Sequence, residues 1–245
     1  MDFAVILAVT AAACFALRNP LKACPLAFYA AAIAVDAVYV YGVFFGLPRD
    51  VWSPLFVLVQ KCELALALFA VVMFIGCLSR EGRAYRWLKP VRSELSIVAW
   101  LLSLGHMAVY LESYLPRLAA GGAIGGNVMG AFVLAVALLV LLVVLGVTSF
   151  AFVKRRMSTA SWKRVQRLAY PFFGLVYVHL LLMLLPSALH GGLAAQASVA
   201  VYSVVFVGYA LCRIGRALAD RRAEDASIAS RSTASTISDE PEMVS

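Results

Sequence analysis

Residues 95–114 read Leu-Ser-Ile-Val-Ala-Trp-Leu-Leu-Ser-Leu-Gly-His-Met-Ala-Val-Tyr-Leu-Glu-Ser-Tyr. Only one charge, Glu112, interrupts the run. Coiled as an α-helix, such a stretch is about 30 Å long, the thickness of a bilayer's hydrocarbon core. It carries a histidine, His106, well inside it, and a neutral imidazole in hydrocarbon needs a partner. A second stretch of the same kind, 167–186, carries His179.

These two runs are typical of the whole chain. Hydrophobic residues make up 63% of its 245 and charged residues 14%, well below the quarter usual in soluble domains. The charges are segregated, which leaves seven apolar segments: 3–17, 25–46, 55–78, 95–114, 128–151, 167–186 and 193–212. Breakers separate them. Pro20 and Pro25 bracket the first connection, Pro48 and Pro54 mark the second, Gly121, Gly122, Gly125 and Gly126 loosen the fourth, and His190-Gly-Gly makes the sixth. The expected fold class is all-α: a polytopic membrane helical bundle of about seven transmembrane helices, or six if the short first segment does not span. That segment lacks a basic start and follows Asp2, so it reads as a helix and not as a cleaved signal peptide.

Basic residues set the expected orientation. Arg18 and Lys22 follow segment 1; Arg80, Arg83, Arg86, Lys89 and Arg92 separate segments 3 and 4; Lys154 to Arg167 separate segments 5 and 6; Arg213 to Arg222 follow segment 7. The other three connections hold only Arg49 and Arg117. Basic residues gather in cytoplasmic loops, which places the N-terminus outside and the C-terminus in the cytoplasm. The net charge of +8 is then topology, and no nucleic-acid partner is expected. The membrane unit is read as 1–216. Residues 217–245 are polar, with few large apolar side chains, and are expected to be a disordered cytoplasmic tail.

His106 lies twelve residues beyond Glu94, and His179 twelve beyond Arg167. At 1.5 Å per residue each is about 18 Å into its helix. Both helices enter from the same side, so the two imidazoles fall in one layer. Two histidines at one depth on parallel helices are what haem iron requires of axial ligands; the plainer alternative for each is a hydrogen bond to a neighbouring carbonyl or hydroxyl. Gly105 next to His106 would let a flat macrocycle approach. The cysteines at 14, 24, 62, 77 and 212 form no Cys-x-x-Cys or Cys-x-x-Cys-His motif, so neither covalent haem nor a structural disulfide is expected. His190 reads as loop chemistry, with an outer quinone or partner site as the sharper alternative. There is no phosphate-binding loop, zinc cluster or Ser-His-Asp set.

From Arg92 to Leu182 the pattern resembles the ferric-reductase-like transmembrane family, which includes the haem-binding membrane subunit of bacterial methionine sulfoxide reductase systems. The likeness is carried by Arg92-Ser-Glu-Leu-Ser, Leu104-Gly-His-Met-Ala-Val-Tyr-Leu111, Leu145-Gly-Val-Thr-Ser149, Trp162-Lys-Arg-Val-Gln-Arg-Leu-Ala-Tyr170 and Tyr177-Val-His-Leu180. The resemblance implies a helical membrane domain whose histidines, here His106 and His179, ligate haem b and pass electrons across the membrane. Gln166 stands where the sulfoxide reductase membrane subunits usually have a further histidine, and Ser93, at the corresponding distance before His106, does not replace it. One haem is therefore expected in preference to two.

Three intramembrane charges remain. Asp36 is expected to be protonated or paired, either on a proton path or bonded to a tyrosine. Lys61 and Glu63, with Gln60, Arg49, Trp52, Glu112 and Arg117, either snorkel or line an outer site. The expected function is an oxidoreductase subunit for electron transport in the bacterial cell membrane. Its donor would be a separate flavoprotein or quinol, its acceptor an extracytoplasmic protein or other acceptor at the outer face, and quinone a second candidate cofactor. The rival is a haem-free transporter or scaffold in which Asp36, Lys61 and Glu63 contact the solute.

Overall fold

A computed structural model describes residues 3–121 and 125–238, with side chains described as far as Ala226. Asp2, Gly122 and the last seven tail residues lie outside that range. Every regular element among the described residues is helical. They are α1 (Phe3–Ala16), α2 (Arg18–Ala23), α3 (Pro25–Phe45), α4 (Arg49–Leu55), α5 (Glu63–Ile75), α6 (Arg83–Leu88), α7 (Arg92–Ala119), α8 (Gly126–Ser149), α9 (Ala151–Lys154), α10 (Thr159–Gln166), α11 (Ala169–Leu189) and α12 (Leu193–Ser238). A π-helical turn, Phe56–Gln60, follows α4, and a 3-10 turn, Lys89–Val91, precedes α7.

Five stretches are long and apolar enough to cross a membrane, those built on α3, α7, α8, α11 and α12; α4 and its π-turn with α5 make a sixth if the bent pair is one span. α1 has 14 residues, fewer than the ~20 that a span needs. The outward faces are apolar: Val133, Val136, Val140 and Val143 of α8, Ile33 and Phe44 of α3, and Val204 and Leu211 of α12 are all exposed. Water does not favour that surface and lipid does. The molecule is an integral membrane helical bundle.

α5 is the axis. Ala65, Ala67, Ala70 and Ile75 are almost fully buried there, and α1, α7 and α12 pack around it. α3 packs on α7, α7 on α8, α8 on α11, and α11 on α12. The four basic segments meet at one end. Arg18 donates to the Trp87 carbonyl at 3.0 Å and lies over the Trp87 ring. Arg213 donates to Tyr170 Oη at 2.8 Å, and Arg80 reaches Asp220 at 3.5 Å.

One expectation needs correction. Segment 55–78 is not one helix. Its chain bends by 41° between α4 with its π-turn and α5, and Cys62 takes φ 58°, a left-handed conformation. A π-turn adds a residue to the helical ring and shifts the hydrogen-bond ladder; hydropathy, blind to backbone, passes over it. α12 runs on through 217 to Ser238. Low apolar content argues against burial, not against coiling. Ala217, Leu218, Ala219, Arg221, Arg222, Ala223 and Glu224 are good helix formers, and Arg216 pairs with Asp220 one turn on at 2.9 Å.

Candidate functional site: a cavity shared by two histidines

The break after the π-turn has a chemical consequence. A helix that stops leaves carbonyls without intrahelical donors, and in lipid these must be satisfied within the protein. Gln60, the last residue of the π-turn, has its carbonyl 2.6 Å from His106 Nδ1. A carbonyl only accepts, so Nδ1 carries the proton, and in a neutral ring the lone pair is on Nε2. His179 is held in the same way. Its Nδ1 is 3.1 Å from the carbonyl of Ala131 on α8. Both rings are therefore fixed, by backbone oxygens, in the tautomer that a metal-bound histidine uses when its other nitrogen is engaged.

The two imidazoles line one cavity of about 350 Å³, within the range of ligand pockets. α7 and α11, which carry them, share no extended contact among the described residues, and α8 packs on both. The walls are apolar, with Leu66, Phe69, Leu138, Val176 and Leu180. Polar side chains line the cavity at the break, on Gln60, Lys61 and Glu63, on α7 at Ser103, Tyr110 and Tyr114, and on α12 at Ser198 and Tyr202. The His106 ring lies 4.7 Å from that of Tyr110, which stacks in turn at 6.2 Å on Tyr114.

Of the residues singled out in the sequence, His106, His179, Gln60, Lys61 and Glu63 come together here, while Asp36, Arg49, Trp52, Glu112, Arg117 and His190 do not line the cavity. Trp52 stacks on Tyr39. His190 is exposed and bonds the Pro186 carbonyl of its own helix at 2.6 Å. Gly105 does not open toward the cavity. A Cβ there would lie 2.7 Å from Asp36 Oδ1, so its smallness serves Asp36 on α3, not a macrocycle. Tyr110 and Tyr114 were overlooked, although their i+4 and i+8 spacing from His106 placed them on its face of the helix.

The layer nearer the basic end is filled. Gly146 on α8 has no Cβ where the Trp100 indole lies against it, and Trp100 packs edge-on to Phe150 at 5.8 Å. Gln166 donates to Thr148 Oγ1 at 3.0 Å, and Trp162 to the Thr148 carbonyl at 3.0 Å. Gln166 is thus a tie between α10 and α8. Among the described residues no group of three His, Cys, Asp or Glu side chains could hold a bare metal ion. A porphyrin-bound iron asks less of the protein, since the macrocycle supplies four nitrogens and only axial donors are needed.

The fold and cavity define a class: a membrane helical bundle enclosing an apolar chamber lined by two tautomerically fixed histidines. Over 159 residues, 62% of this chain, it is 40% identical to an uncharacterized protein of Treponema pallidum (strain Nichols). That match covers 43% of the relative, so the chain spans less than half of its length. No family model matches the chain, and no solved structure does.

Proposed function

We propose that the chain is a haem b-binding membrane electron-transfer protein, with His106 and His179 as the axial ligands of one haem. A single observation carries this: two histidines from helices that share no extended contact among the described residues line one chamber, each with Nδ1 on a backbone carbonyl and the Nε2 lone pair left to give. The residues fit the group. The walls are apolar where a macrocycle would lie, and Lys61 and Tyr110 offer polar groups for its carboxylates. When bound, haem supplies a one-electron redox centre. The chain's own work is to hold two imidazoles, exclude water and orient the plane. The filled layer at Trp100 and Gln166 favours one haem over two.

The convergence of basic segments on one end supports an N-terminus outside and a C-terminus in the cytoplasm, in a bacterial cell membrane as the bacterial relative suggests. Electrons would come from a flavoprotein docking on the basic face, or from quinol, and leave to an acceptor at the outer side. The test is a reduced-minus-oxidised spectrum of protein purified with haem available. The proposal expects a b-type spectrum that His106→Ala and His179→Ala each abolish; a spectrum unchanged by both removes the assignment.

One feature favours the haem-free transporter as a second reading. A bent, discontinuous span with polar groups at its break is how transporters build solute sites, and here Lys61 and Glu63 line the cavity. That reading expects solute flux in proteoliposomes sensitive to Glu63→Gln and indifferent to His179→Ala.

A further inference from the structure

Asp36 is a carboxyl within a membrane span that does not line the cavity. It sits midway along α3, a helix that packs on α7. A carboxyl within a membrane span is unfavourable unless it is engaged inside the protein. Its Oδ2 accepts the backbone N–H of Gly105 at 2.9 Å. Its Oδ1 is fully buried without a hydrogen-bond partner. Gly105 immediately precedes His106, and its lack of a side chain is what admits the carboxyl, because a Cβ would come within 2.8 Å of Asp36 Cγ. His106 is thus gripped from two directions: the Gln60 carbonyl holds its ring, and Asp36 holds the amide beside it. Asp36 does not itself line the cavity, so any influence it has on a ligand passes through His106.

We infer that Asp36 is a positioning residue for the His106 imidazole: by accepting the Gly105 amide it fixes the rotation and height of α7 at which Nε2 meets the axial position of a haem. This rests on the haem reading above. The acceptor oxygen is what the arrangement requires, so the amide of asparagine, which also offers one, should serve in its place. Partners that orient a ligand in this way typically carry 10- to 100-fold of metal affinity.

The experiment uses the full chain in detergent, taking only the monodisperse fraction, and reads haem affinity by titration and the spin state of the bound haem by its absorption spectrum. Wild type is expected to be low-spin and six-coordinate. Asp36→Ala is expected to bind haem about 10- to 100-fold more weakly and to show a high-spin fraction, while Asp36→Asn stays as wild type. A merely structural loss would lower the folded yield without changing the spin state of what folds. If Asp36→Ala does not fold, Gly105→Ala, which pushes on the same contact from α7, should give the same spin-state change. Wild-type affinity and spin state in Asp36→Ala, or an Asp36→Asn protein as damaged as the alanine variant, overturns the assignment of Asp36. A wild type that takes up no haem overturns the reading beneath it.

Discussion

At the scale of single residues the account turns on side chains that hold backbone atoms. Each imidazole gives its Nδ1 proton to a carbonyl of another helix or turn, and Asp36 takes an amide. Gly146 and Gln166 do the opposite work, closing space. Gly146→Ala pushes a methyl group into the Trp100 indole, and overpacking of this kind typically destabilises by about 1–3 kcal/mol; a lowered unfolding midpoint in detergent is the expected reading. Gln166→His adds an imidazole on α10, yet haem content should stay at one per chain, because Trp100 and Phe150 pack into the inner layer. Two haems in that variant would refute the filled layer. That His106 and His179 line one cavity was legible in the sequence, because position along a helix follows from counting residues. The partner of Gly105 was not: which helix faces a glycine is a matter of packing, and the stretch 95–114 does not encode its neighbour.

At the scale of elements the broken span matters most. Hydropathy reads 55–78 as one helix, since π-turn and α-helix present the same apolar side chains. The bend becomes visible only in the backbone, where Cys62 stands at φ 58°. A left-handed conformation is unfavourable by roughly 1–2 kcal/mol for any residue with a Cβ. Cys62→Gly should therefore preserve or raise thermal stability, and Cys62→Val, branched at Cβ, should lower it and shift the Gln60 carbonyl from His106. If both variants melt alike, the left-handed turn is not what ends the π-turn. The length of α12 has a local cause: alanine, arginine and glutamate coil without being buried.

At the scale of the whole molecule, basic and charge-poor connections alternate along the chain, and the contacts Arg18–Trp87 and Arg80–Asp220 bring three of the basic segments together. If their side is cytoplasmic, a cysteine placed at Glu81 is labelled by an impermeant maleimide only after the cells are opened, and one placed at His190 is labelled in intact cells; the reverse pattern inverts the orientation. The span count was less legible, because α1 is apolar throughout yet too short to cross alone. Haem content per chain, read by a pyridine haemochrome assay, decides whether the two imidazoles share one iron porphyrin. The account predicts one haem in the wild type and a large loss in either His106→Ala or His179→Ala. No haem in the wild type, or a full complement retained by both variants, contradicts it.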